Sequence, residues 1–265
     1  MEKFQALEKL RECRLVFTVT SGRSGSKLLT QLASKIPDIK AVHEGRPRMN
    51  YVMRGIQGYP EAAKWWLESE MYPTIATELD QPVYLETSHL FCKGFVEPTL
   101  ELGLKPQVIL LTRPPNEVAA SLYSIDCIPE RTCSGRLVLL GPSDPGVWKI
   151  PAYETLSDYQ LCYWYAREIE RRQAHYARVL PKQGCACLNL SLADLTDASR
   201  FIDVARFLTG KSEPGFDQLE IKAVLQSNQN PKSGLASTSR TQLGAAERAD
   251  EETFVDQLMA QHPVN

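Results

Sequence analysis

Three groups of side chains have types and spacings that could do chemistry. The first lies in "TSGRSGSKLL", residues 20–29. There two cations, Arg23 and Lys27, and three hydroxyls, Ser21, Ser24 and Ser26, fall within seven residues. Gly22 and Gly25 permit a tight turn and close backbone approach. A helix opening at this turn would aim the N–H groups of Ser24, Gly25, Ser26, Lys27 and Leu28 at one point, where the helix dipole also favours negative charge. The spacing departs from a Walker loop, which has four residues between its first Gly and a Gly-Lys-Ser/Thr triplet. In nucleotide triphosphatases the Ser or Thr of that triplet holds Mg²⁺, and no acidic strand end here completes such a site. The turn therefore predicts a metal-free phosphate or sulfate-ester site.

The second group is Arg113, which ends the apolar run "QVILLTR", and Ser121 eight residues on, about two helical turns into the next helix. An Arg fork at the positive end of a helix, with a hydroxyl beside it, suits a terminal phosphate. Glu117 offers the competing reading, a local ion pair with Arg113. The third group is His43-Glu44, closing the short run "IKAVHE". Transfer of a phosphoryl or sulfuryl group to a hydroxyl needs a base near the attacking oxygen, and either residue could serve.

The elements that must position these groups follow from periodicity. "RLVFTV", "IKAVHE", "PVYLETS", "QVILLTR" and "CACLNLS" read as strands. "QVILLTR" has the unbroken apolar character of a strand buried on both faces. "KLLTQLASKI", "YPEAAKWWLESEM", "EPTLELGL", "PPNEVAASLYSI", "YETLSDYQLCYWYAREIERRQAHYARVL", "ASRFIDVARFLTG" and "AERADEETFVDQLM" read as helices. "IPERTCSGRLVLLGPSDPGVWKIP" is rich in Pro and Gly and reads as a surface excursion. Alternating strands and helices predict a three-layer α/β fold, with a central parallel sheet flanked by helices, in a single domain over 1–265. Residues 232–245 read as a flexible loop, and Lys232 in "QNPKSG" could close over a ligand. Tyr159, Tyr163 and Trp164 lie at helical spacing and read as core.

Taken together, the first two groups resemble the sulfotransferases that use 3′-phosphoadenosine 5′-phosphosulfate (PAPS), a family with a P-loop-like fold. The resemblance runs from about Leu15 to Ser124. It implies that Arg23, Ser24, Gly25, Ser26, Lys27 and Leu28 cradle the 5′-phosphosulfate, and that Arg113 and Ser121 hold the 3′-phosphate. From Arg23 to Glu44 the chain is similar, without a gap, to the tyrosylprotein branch. That likeness implies Glu44 as the catalytic base, with His43 second and Arg23 stabilising charge. One departure stands out: where many relatives carry Glu-Lys-Ser/Thr-Pro, this chain has Glu86-Thr87-Ser88-His89. The charge of the absent Lys would have to come from Lys27, Lys93 or His89, or from Arg23 alone. A nucleotide kinase with a degenerate cradle, or a catalytically silent binding module of the same fold, are the competing expectations.

The totals set bounds on these readings. With 265 residues the chain can bury a substantial core. A net charge of −2 gives no global bias toward nucleic acid or anionic membrane. No run of about 18 apolar residues predicts a membrane span. The first residues lack the apolar core of a signal peptide, and the seven cysteines are scattered. Cys127 and Cys133 are expected to be free thiols, and Cys185 and Cys187 reduced and buried. The expectation is a cytoplasmic enzyme acting on a small hydroxylated molecule.

Overall fold

The computed structural model describes residues 2–227 and 243–262. Helix α1 (Lys3–Glu12) precedes strand β1 (Arg14–Val19), the Gly/Ser turn and helix α2 (Ser26–Ala33). Strand β2 (Ile39–Val42) leads into helices α3 (Met53–Gly58), α4 (Glu61–Trp66) and α5 (Tyr72–Glu78), the last two joined by a π-helical turn at Leu67–Met71. Strand β3 (Val83–Glu86), helix α6 (Val96–Glu101), strand β4 (Gln107–Thr112) and helix α7 (Pro115–Ser124) follow. Then come α8 (Cys133–Val138), α9 (Asp158–Val179), β5 (Cys187–Ser191), α10 (Leu192–Thr196), α11 (Phe201–Thr209), α12 (Gln218–Gln226) and α13 (Ala245–Gln261).

All five strands join one parallel sheet in the order β2-β3-β1-β4-β5. Side chains alternate faces along a strand, and that alternation builds the layers. Leu15, Phe17 and Val19 of β1 and Val108 and Leu110 of β4 enter one core, shared with α1, α3–α7, α9 and α13. Val16 of β1 and Ile109 and Leu111 of β4 enter the other, shared with α2, α11 and α12. The fold is thus a three-layer α/β sandwich. A capping box at Ser157 and Gln160 starts α9, whose Gln173 ties the sheet at its centre. The Gln173 amide donates to Val19 O of β1 (3.0 Å) and Leu111 O of β4 (2.9 Å), at the carboxyl ends of these neighbouring strands.

One expectation is corrected. The Pro/Gly-rich stretch 128–151 is no surface excursion. Ile128, Leu139, Leu140, Val147 and Ile150 are buried, and the stretch contains α8. Its apolar residues outweigh its turn residues because Arg54 of α3 pins it, donating to Leu139 O (2.6 Å) and pairing with buried Asp144. Of the loop placed at 232–245 only the last residues are described. α13 begins at Ala245, and 232–242, with Lys232, lie outside the described residues. Tyr163 and Trp164 are core as expected, and all seven cysteines are free, Cys187 only half-buried. Among the described residues no helix is long and apolar enough to cross a membrane.

Candidate active site

In a parallel sheet ligands gather beyond the carboxyl ends of the strands, near the point where strand order reverses. Here the chain crosses from β3, on one side of β1, to β4 on the other. The three groups singled out in the sequence converge at that edge. The turn after β1, His43-Glu44 after β2, His89 after β3 and Arg113 after β4 surround a cavity of about 430 Å³.

The turn after β1 is tightly folded. Gly22, Arg23 and Gly25 all take left-handed backbone angles (φ 76°, 57° and 93°), which fold the backbone tightly before α2. Among the described residues, no backbone or side-chain acceptor takes the N–H groups of Arg23 through Leu28. The first N–H groups of a helix have no intrahelical partner, and here those of Ser26, Lys27 and Leu28 at the start of α2 are joined by those of the turn, a set of donors able to take an anion. There is no room for a Cβ at Gly25, where it would lie 2.6 Å from Leu192 Cδ1. Ser24 turns inward, 3.0 Å from Ser21 Oγ and donating to Gly22 O, so it shapes the loop. Ser26 and Leu28 are buried, leaving their N–H groups as their contribution, whereas Lys27 is exposed at the cavity wall.

The second group is joined directly to the first. Arg113 donates through Nη1 to Arg23 O (2.7 Å), and Arg23 donates through Nε to Ser121 Oγ (2.9 Å). Arg113 also pairs with Glu117 at 2.9 Å, the local ion pair expected as the competing reading. Partial burial and the Arg113 guanidinium both lower Arg23's pKa from its usual value. Two neighbouring guanidiniums with one half-exposed carboxylate, Glu117, paired to Arg113 favour an incoming anion. Beyond Arg113 lies a second cavity of about 320 Å³, walled by Ser121, Tyr123, Tyr159 and Arg248. Tyr159 therefore serves the core and also walls this cavity. Arg248, supplied by α13, was not singled out in the sequence. Its only local sign was a cation in an acidic helix.

Glu44 sits in left-handed backbone (φ 51°) with its side chain partly exposed to the cavity. Buried Glu86 holds it there by accepting from Gly45 N (3.0 Å) and from the Tyr84 hydroxyl (2.8 Å). Burial raises the Glu86 pKa to about 7. Two imidazoles flank the Glu44 carboxylate: His43 Nε2 at 3.9 Å and His89 Nε2 at 3.7 Å from Oε1. Burial lowers the pKa of both rings, well below the usual value for His89, so both are neutral near pH 7. His43 Nδ1 faces both Thr87 O (3.2 Å), which can only accept, and Thr87 Oγ1 (3.0 Å), which can donate or accept, so either tautomer of His43 finds a partner there.

Thr87, at the position of the absent Lys, is enclosed by Thr30 Oγ1 (2.6 Å) and the His43 ring (3.0 Å). Of the three named substitutes, Lys27 and His89 line the cavity, whereas Lys93 is completely buried behind His89. Tyr165, whose hydroxyl supports the cradle at Ser21 O (2.8 Å), was missed because it reads as one more core aromatic of α9. No known family model matches the chain, and no curated protein is significantly similar to it.

Proposed function

We propose that this chain is a sulfotransferase that moves a sulfuryl group from PAPS to the hydroxyl of a small acceptor. The observation that carries the reading is the joining of the cradle to the Arg23–Arg113–Ser121 cluster, with Glu44 across the same cavity. One anion site against another suits a nucleotide with two separate phosphate-like groups. The donor set fits it: unpaired N–H groups, two guanidiniums, Lys27 and a hydroxyl. When bound, PAPS supplies an electrophilic sulfur and a phosphate leaving group. Glu44 would take the acceptor's hydroxyl proton as the oxygen attacks. Arg23 and the cradle N–H groups would hold the charge that develops on the departing phosphate. Leu122, Ile125, Val138 and Leu139 give the cavity an apolar wall, which with its volume suits a small hydroxylated metabolite. Seven free cysteines suit a reducing, cytoplasmic setting.

Titration calorimetry with adenosine 3′,5′-bisphosphate tests the reading. Wild type should bind without Mg²⁺, and Arg113→Ala should weaken binding about ten- to hundredfold, the range for a lost charge-assisted hydrogen bond. Absence of binding, or affinity undiminished in Arg113→Ala, sinks the proposal. Preference for ATP with Mg²⁺ would establish the kinase reading in its place. Bisphosphate binding without turnover on any hydroxyl acceptor would mark a silent binding module.

A further inference from the structure

Lys93 has no carboxylate partner among the described residues, although it is wholly buried. Its ammonium instead has three neighbours in three directions. Nζ lies 2.9 Å from His89 Nδ1, donates to Val138 O (2.5 Å) at the end of α8, and sits 4.9 Å from the centre of the Tyr165 ring. An ammonium has only donors, so an imidazole nitrogen facing it must be the one with the lone pair. The cradle also packs against the ring: a Cβ on Gly22 would lie 3.3 Å from His89 Cγ. His89 is thus clamped between the anion cradle and a buried amine, with Nε2 3.7 Å from Glu44.

We propose that Lys93 is a positioning residue: by occupying the Nδ1 lone pair of His89 it keeps the ring neutral, with its proton on Nε2 facing Glu44 and the cavity. The consequence is a fixed donor: His89 presents its N–H toward the Glu44 carboxylate, which can only accept. Without Lys93, the nearby carboxylate would favour a second proton on His89. The resulting imidazolium would pair with Glu44 and make it a poorer base. The N–H of His89 would also supply the donor that Thr87 cannot, a role that rests on the sulfuryl-transfer reading; the tautomer itself does not.

The groups facing these two residues set the pH range. Around His89 they are Glu44 and His43 from the end of β2 and Lys93 from its own segment. Around Lys93 they are Cys92 beside it, Cys127 after α7, Arg54 of α3, and Arg172 and Tyr165 of α9. Burial brings the Lys93 pKa down to about 7. The clamp is therefore complete below pH 7 and loosens above it as the amine gains a lone pair of its own.

Two-bond ¹H–¹⁵N NMR of the histidine rings in the full chain tests this without reference to activity. The chain has 4 histidines, so loss of one ring signal in His89→Gln identifies the resonance. At pH 6 wild-type His89 should show an unprotonated Nδ1 and a protonated Nε2. Lys93→Met should raise the proton affinity of His89 about tenfold or more, one pH unit in its midpoint. A smaller rise, or a proton on Nδ1 in wild type, overturns the proposal. The wild-type spectrum decides even if the variant fails to fold. In turnover, Lys93→Met should lower kcat most at pH 6 and regain it toward pH 8, with KM for the nucleotide unchanged; a uniform loss across pH would contradict the role given to His89. Wild type that transfers no sulfuryl group would refute the function and leave the NMR result standing.

Discussion

Replacing Glu86 with Gln should make the protein lose much of its pH-dependent instability, and the size of the effect follows from burial. Glu86 ends β3, is almost fully buried, and has no cation against its carboxyl group. Its pKa rises from 4.5 to about 7, chiefly because burial penalises the charged form, while the Tyr84 and Gly45 hydrogen bonds oppose the rise. An acid with a raised folded-state pKa binds more protons folded than unfolded. Its stabilising contribution is complete below pH 4.5 and is lost as pH rises through 7. A shift of about 2.5 pH units corresponds to about 3 kcal/mol in full, of which about 2.5 kcal/mol falls between pH 5 and pH 8. Gln keeps an acceptor for Gly45 N and cannot ionise. Urea unfolding followed by Trp fluorescence, at steps from pH 5 to pH 8, measures both proteins. The stability of Glu86→Gln minus that of wild type should climb by about 2–3 kcal/mol over the range. Other titrating groups are common to both proteins and largely cancel. Parallel curves, differing in slope by under about 0.5 kcal/mol over that range, would show a normally titrating Glu86 and refute the reasoning.

Four further substitutions extend these tests, three of them in the site. Gly25→Ala puts a Cβ into left-handed backbone and against Leu192; it should cost about 1–3 kcal/mol in urea unfolding and abolish bisphosphate binding. Gly55→Ala, whose Cβ meets nothing within 4 Å in α3, should instead stabilise by up to about 1 kcal/mol. Glu44→Gln should lower kcat by about 10²–10⁴ with bisphosphate affinity little changed by calorimetry, and retained turnover would move the base to His43. Arg248→Ala should weaken the bisphosphate several-fold and reduce the salt dependence of its binding; equal affinity at low and high salt in both proteins would remove Arg248 from the site.

What could be read from the sequence and what could not divide along the range of the interactions. The cradle is written locally, since a strand, two glycines and a helix start within a dozen residues determine one another. The strands were equally legible, because burial on both faces leaves an unbroken apolar run such as Val108–Leu111. The stretch 128–151 misled because Pro and Gly report backbone turns, whereas its place was decided by Arg54, more than eighty residues away, reaching Leu139 O and Asp144. The grouping of Glu44, His89 and Lys93 depends on register alone. Val42 pairs with Glu86 and Glu86 with Phe17, so the residues just after each strand are brought side by side. Nothing within "LETSHLFCKGFV" announces that neighbourhood, except one charge in an apolar run. An isolated Lys there has to be either exposed by a break in the element or given acceptors by its surroundings. Lys93 takes the second course, and the group it faces is the imidazole beside the proposed base. The residue that looked least compatible with a core is therefore the one through which the core reaches the chemistry.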